Sequence, residues 1–196
     1  ITCQAAFGAW TVTLKLWPQV VTAHLLGGFT TLSLLWLLLL RQGALPSVHR
    51  GLPMPGKHAA IALAVVIGQI ALGGWVSSNY ADLAEGFNLF QGVGPSYRGG
   101  LMDSEARKAI HWVHRLSAIV VAIVVIALAV RLMKANRLLA TTMLVVLAAQ
   151  MLLGILNVVW VLPLINATLH NVGGALLLIT LVTVNFAPRL RVHTGP

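Results

Sequence analysis

The chain alternates long apolar runs with short polar connections, a pattern that neither the two-residue alternation of half-buried strands nor the narrow stripe of a surface helix explains. Six apolar segments cover residues 1–16, 20–40, 59–78, 109–132, 138–162 and 164–187. A helix rises about 1.5 Å per residue, so most of them reach the roughly 30 Å of a bilayer's hydrocarbon core. The first, at about 24 Å, falls short. Inside lipid every backbone amide and carbonyl needs a partner within the protein, which for single apolar runs of this length means helix. The pattern predicts an all-α, polytopic membrane protein with six visible transmembrane helices.

The connections predict its orientation. Arg41, Arg50 and Lys57 lie in the connection 41–58 without an acid, Arg131, Lys134 and Arg137 lie around the next short turn, and Arg189 and Arg191 lie in the tail. Basic connections stay on the cytoplasmic side. All four acids, Asp82, Glu85, Asp103 and Glu105, fall in the connection 79–108, which alternation places outside. Trp10, Trp17, Trp75, Trp112 and Trp160 then gather towards the outer ends as an interfacial belt.

Aligning the segments on Gln and Gly exposes an internal repeat. Gln4 and Gly8 before Trp10 match Gln69 and Gly73 before Trp75, and Gln150 and Gly154 repeat the spacing. Downstream, Pro18 with His24, Gly27 and Gly28 corresponds to Pro163 with His170, Gly173 and Gly174, one residue being inserted. The first two segments thus copy the last two. On this reading residues 59–196 form one complete four-helix unit, and residues 1–58 are the second half of an earlier one. The period implies about 95 residues and two helices before Ile1. The start inside an apolar run, with no basic n-region or cleavage site, agrees with a partly missing first helix.

Composition narrows the function classes. With 58% hydrophobic residues, 9% charged residues and a mean hydropathy of +0.89, the chain is not an ordinary soluble domain. Its net charge of +9 comes from singly scattered cations, not a basic face interleaved with aromatics, so no nucleic-acid partner is expected. The lipid bilayer is the expected surrounding. Cys3 is the one cysteine, which excludes an internal disulfide. There is no Gly-rich phosphate loop, no zinc-type Cys and His spacing, and no carboxylate pair within a segment.

What remains for chemistry is a layer of histidines. His24 lies six positions past Pro18, His170 six past Leu164 and His114 six past Lys108, which is about 9 Å below the outer surface. Ionisable residues inside a membrane are costly and usually functional. Two facing helices with one imidazole each at matched depth meet the requirement for bis-histidine haem ligation, and His114 and His170 do so within one repeat. The bland alternative has each histidine merely bonding a neighbouring helix; recurrence across the repeat favours ligation.

Small residues follow each histidine on the same face: Gly27 and Gly28, Ala118, and Gly173 and Gly174. They read either as room for a flat macrocycle or as close helix packing. His111, a turn nearer the surface than His114, is left as a supporting or interfacial residue. Arg115 suits charge-assisted bonds to haem propionates, or a snorkelling anchor. Gln4, Gln69 and Gln150 read chiefly as interhelical hydrogen-bonding residues.

At this point the sequence resembles the haem A synthases, the bacterial CtaA and mitochondrial Cox15 family. The likeness runs through Gly8-Ala9-Trp10-Thr11-Val12, Val21-Thr22-Ala23-His24-Leu25, Gly73-Gly74-Trp75-Val76-Ser77-Ser78-Asn79-Tyr80-Ala81, Gly86-Phe87-Asn88-Leu89-Phe90, the stretch from His111 to Arg115, and Asn166-Ala167-Thr168-Leu169-His170. The resemblance implies eight helices in a pseudo-symmetric pair of four-helix bundles. It assigns haem b to His114 and His170 in the carboxy-terminal bundle, with Arg115 beside it. It assigns substrate haem O to His24 in the amino-terminal bundle, together with a histidine and a catalytic Glu on a helix absent from this chain. No catalytic residue is therefore visible, and the visible chain alone is expected to be inactive.

The implied reaction oxidises a haem O methyl group to the formyl of haem A for terminal oxidase assembly, in a bacterial cytoplasmic membrane with the haem layer near the outer side. Haem O synthase and electron-transfer proteins are the implied partners. The outer connection also lacks, between Ala84 and Glu85, a cysteine-containing segment that related sequences carry. The rival readings are a non-catalytic bis-histidine b-type cytochrome and a haem carrier.

Overall fold

The structure, a computed structural model, describes residues 1–14, 17–43, 56–79, 104–160 and 163–189. Six α-helices account for nearly all of them: α1 (Thr2–Thr13), α2 (Pro18–Arg41), α3 (Lys57–Ser78), α4 (Ser104–Leu132), α5 (Arg137–Val159) and α6 (Leu164–Phe186), followed by a 3-10 turn (Ala187–Arg189). Among the described residues there is no strand. Five helices are long and apolar enough to cross a membrane. α1, with 12 residues, is not among them, in keeping with the short reach of the first apolar segment. α4 begins five residues before the predicted 109, because Ser104 to Lys108 add a polar turn in which Glu105 Oε1 meets Lys108 Nζ at 3.0 Å.

Local chemistry sets the helix ends. Pro18 occupies the first turn of α2, where a missing amide hydrogen costs nothing. The side chain of Asn136 accepts a bond from the Leu139 amide at 3.0 Å and so caps α5. The turn between α4 and α5 is correspondingly short, closed by the Asn136 amide on the Leu132 carbonyl at 2.8 Å. Gly43, with φ 75°, takes the left-handed conformation that follows the end of α2.

α3 packs against α4 and α6, and α5 packs against the same two, so α3 to α6 close into a ring with α4 and α6 on the diagonal. α1 packs on α2, which in turn lies against α3 and α6 from outside the ring. Apolar packing fills one half of the ring, around Val66, Val125, Ala140, Met143 and Leu181. All of these lie in the first half of α3 and α5 and the second half of α4 and α6. Buried polar bonds tie the same end together: Asn185 Nδ2 donates to the Ala59 carbonyl at 2.9 Å, and Trp36 Nε1 donates from α2 to Thr183 Oγ1 on α6 at 2.7 Å.

Arg131 Nη1 lies 2.6 Å from His58 Nδ1, which brings the end of α4 beside the start of α3. The short turn to α5 sets Arg137 at that end too. The cations predicted to share one side are thus gathered there, while Glu105 and Lys108 lie at the other. Arg50, Arg191, Asp82, Glu85 and Asp103 lie outside the described residues, as does the segment around Gly86 to Phe90.

Candidate functional site

The other half of the ring holds the polar residues. In each of three helix pairs, α1 with α2, α3 with α4 and α5 with α6, a glutamine and a glycine on the first helix meet a histidine on the second. The histidine ring rests its Cε1 edge on the glycine: a Cβ placed on Gly8 would lie 3.2 Å from His24, on Gly73 3.1 Å from His114, and on Gly154 3.2 Å from His170. Such separations are tighter than ordinary carbon contacts, so only a residue without a side chain lets the ring sit there. Glycine spacing on one helix and histidine position on the next are therefore a single feature.

The glutamine completes the seat. Gln4 Nε2 donates to the His24 carbonyl at 2.9 Å, and Gln69 Nε2 donates to the His114 carbonyl at 3.0 Å while lying 3.2 Å from His114 Nδ1. Gln150 Nε2 lies 3.3 Å from His170 Nε2. These residues act as the interhelical bonds the sequence pointed to, with their partners on the histidines themselves. A carbonyl already bonded within a helix accepts a second donor at little cost.

At the glycines that follow the histidines the structure shows close packing, one of the two readings the sequence left open. Gln4 and Gln150 fill the space at Gly27 and Gly173 so fully that a Cβ at either position would collide with the glutamine side chain. That space serves close helix packing around an amide, not an open slot for a flat ring. The sequence reading missed the third member of this set, Ser117, which holds the place of Gly27 and Gly173 behind His114. Its hydroxyl contacts Gln69 Oε1 and lies 3.0 Å from the His114 carbonyl. Alignment of the three histidines was the signal that contained it.

His114 on α4 and His170 on α6 stand on helices at the diagonal of the ring. His24 belongs to the outer hairpin. His111 is 4% exposed, so its side chain is buried within the protein. The Arg115 guanidinium lies 5.4 Å from the Trp112 ring centre, a cation–π contact along one face of α4. Trp10, Trp17 and Trp160 are exposed at the same end, as an interfacial belt requires.

Donor atoms remain available. His24 Nδ1 and His170 Nδ1 are buried without a hydrogen-bond partner, as are Thr22 Oγ1 and Asn79 Oδ1. Buried polar atoms left unpaired are costly, and they concentrate here around the imidazoles. No cluster of three or more His, Cys, Asp or Glu side chains suited to a metal ion occurs among the described residues. A haem iron needs only two imidazoles on opposite sides, which the diagonal pair offers. Two imidazoles, two buried ring nitrogens and a nearby guanidinium fit that group. A cavity of about 260 Å³ lies off this layer, between α2, α3 and α6 and lined by Phe29, Ile67, Ile70, Leu178 and Val182 among others.

Comparison with known proteins agrees with this arrangement. The family described as COX15-CtaA, cytochrome oxidase assembly protein, matches residues 1–182. A protein named Heme A synthase, from Shewanella oneidensis, is 46% identical over 209 residues, covering 93% of this chain and 62% of that protein. The chain thus spans less than two thirds of that relative, whose matched stretch is itself longer than the 196 residues here. No solved structure matches. With a match running from α1 through most of α6, the chain belongs to the COX15-CtaA family of cytochrome oxidase assembly proteins.

Proposed function

We propose that the protein carrying this chain is a haem A synthase of the cytoplasmic membrane, in which residues 59–196 form a haem b bundle and residues 1–58 contribute to the bundle that takes the substrate haem O. The observation that carries the reading is the threefold recurrence of one imidazole seat. An isolated membrane histidine bonds whatever lies nearby, whereas His24, His114 and His170 each have the ring edge set on a glycine and a glutamine of the same neighbouring helix bonded to the histidine, at the carbonyl for Gln4, at carbonyl and ring for Gln69 and at the ring for Gln150. Membership of the family and likeness to a protein named Heme A synthase support the same activity.

In this reading His114 and His170 would hold haem b, and His24 would help to hold haem O. When bound, the haems supply the electron transfer and oxygen chemistry that turn a methyl group into a formyl group. The chain's own residues do four things. The glycines set each ring's edge, Gln69 and Gln150 orient the rings of His114 and His170 while Gln4 holds the His24 carbonyl, and Arg115 would supply a cation for the carboxylates at a haem's rim. Lipid-facing side chains exclude water from the layer: Val113 and Leu116 are exposed on α4, and Leu169 and Val172 on α6. Low dielectric strengthens each of those polar contacts.

The basic end of the helices faces the cytoplasm and the histidine layer lies towards the outer surface, by the distribution of Arg41, Lys57, Arg131, Lys134 and Arg137. Haem O synthase and electron-transfer proteins are the proposed partners. The test is haem extraction from cells that supply haem O and lack another synthase. The intact protein forms haem A, and His24→Ala abolishes its formation while leaving the low-spin b-type spectrum. Persistence of haem A in that variant would overturn the role given to His24.

A further inference from the structure

The pair α3 and α4 departs from its two copies at the position three residues after the histidine. Gly27 and Gly173 follow His24 and His170 by three residues, but Ser117 follows His114. Four groups therefore meet: the Ser117 hydroxyl, both ends of the Gln69 amide, His114 Nδ1 and the His114 carbonyl. As they stand, Ser117 donates to Gln69 Oε1, and Gln69 Nε2 points at His114 Nδ1 and at the carbonyl. A ring nitrogen that accepts a hydrogen bond carries no proton, so the neutral ring then carries its proton on Nε2. Nε2 in that form has no lone pair for a ligand.

The same groups admit a second complete arrangement. If the Gln69 amide turns by 180° and shifts off the His114 carbonyl, which its Nε2 now meets at 3.0 Å, His114 Nδ1–H donates to Oε1, the amide donates to Ser117 Oγ, and the Ser117 hydroxyl donates to the His114 carbonyl, from which it already lies 3.0 Å away. The number of protons on the ring does not change, but its remaining lone pair moves to Nε2. A hydroxyl permits this because it both donates and accepts. At the other two sites glycine stands in its place, and Gln150 Oε1 is buried with no hydrogen bond.

We infer that Gln69 and Ser117 form a two-position hydrogen-bond switch that sets which nitrogen of His114 is open, and are thereby positioning residues for an iron held at His114 Nε2. The inference rests on the reading of His114 as a haem ligand. It separates His114 from His24 and His170, whose glutamines lack a hydroxyl to turn against.

The test compares Gln69→Leu, Ser117→Ala and Ser117→Thr in the haem-loaded protein, by haem titration, midpoint potential and the low-spin signature in electron paramagnetic resonance. Loss of a group that orients a metal-bound imidazole typically costs on the order of 10–100-fold in affinity, and Gln69→Leu is expected in that range. Its midpoint potential rises, since an Nδ1–H without an acceptor makes the imidazole a weaker donor to ferric iron. Ser117→Ala shifts the potential the same way by less, and Ser117→Thr, which keeps the hydroxyl, restores the original value. Should Gln69→Leu fail to fold, the two Ser117 variants decide the matter. An unshifted potential in Ser117→Ala, or an equal shift in Ser117→Thr, would overturn the switch. Survival of the low-spin signature in His114→Ala would instead overturn the ligand reading and leave the switch without an object.

Discussion

Gln4, Gly8 and His24 in the α1–α2 hairpin match Gln150, Gly154 and His170 in the α5–α6 hairpin, with the ring edge on the glycine in both, yet Gln4 bonds the His24 carbonyl and Gln150 the His170 ring, and the two hairpins have different surroundings. Half of the most apolar window of α6 is buried against α2, α3 and α5, whereas only 6% of that of α2 is buried. Leu34, Leu35 and Leu38 on α2 stay exposed, while Leu177, Leu178 and Leu181 at comparable places on α6 are buried. The cavity beside Phe29 and Ile67 lies along the face of α2 that meets the ring. A short local motif therefore builds the imidazole seat in either setting, and the ring decides how firmly it is held. In lipid, where apolar side chains gain little by leaving the solvent, that firmness comes from packing and interhelical hydrogen bonds.

The largest effect that tests this contrast is loss of an imidazole. His170→Ala or His114→Ala abolishes the low-spin b-type spectrum of the purified protein, while His24→Ala leaves it. A spectrum that survives either of the first two, or vanishes in the third, would show that matched seats do not separate into the roles assigned here.

Next in size is removal of a packed leucine. Leu181→Ala, in the filled half of the ring, is expected to cost about 2 kcal/mol or more, and Leu35→Ala, facing lipid, close to nothing. Unfolding in mixed micelles measures both. Equal costs would mean that α2 is held as tightly as α6.

A smaller difference separates the glycines that receive the glutamines. Gly173→Ala forces Gln150 aside within the ring, with a cost of about 1–3 kcal/mol typical of overpacking. Gly27→Ala costs less, because Gln4 can swing outwards at the loss of one hydrogen bond worth about 1 kcal/mol. Thermal inactivation of the two variants ranks them.

The smallest effect concerns the docking of one hairpin on the other. Thr183→Val leaves the Trp36 indole N–H without its acceptor and is expected to cost about 1 kcal/mol, near the average for a bond between membrane helices. Tryptophan fluorescence should shift with it. An unchanged stability would show that the α2–α6 contact rests on shape alone.

The sequence by itself determined the elements, because a membrane leaves an apolar run of 20 or so residues few alternatives to helix. It also determined the repeat, the gathering of cations at one end and the singling out of His24, His114 and His170, since ionisable residues stand out where every neighbour is apolar. Only the tertiary structure decided what their neighbours do. Periodicity places Gln4, Gln69 and Gln150 on a helix face, but not which partner that face meets, so their contact with the histidines was beyond its reach. For the same reason the glycines behind the histidines read either as open room or as close packing, and the glutamines of the preceding helices fill the space at Gly27 and Gly173. Ser117 looked like any small polar residue until α3 brought Gln69 to its hydroxyl. His111, near the head of its apolar run, read as either a supporting or an interfacial residue, and the structure buries its side chain. Spacing along one helix is fixed by the backbone alone, whereas occupancy of the space between two helices depends on their separation and rotation, which no single helix encodes.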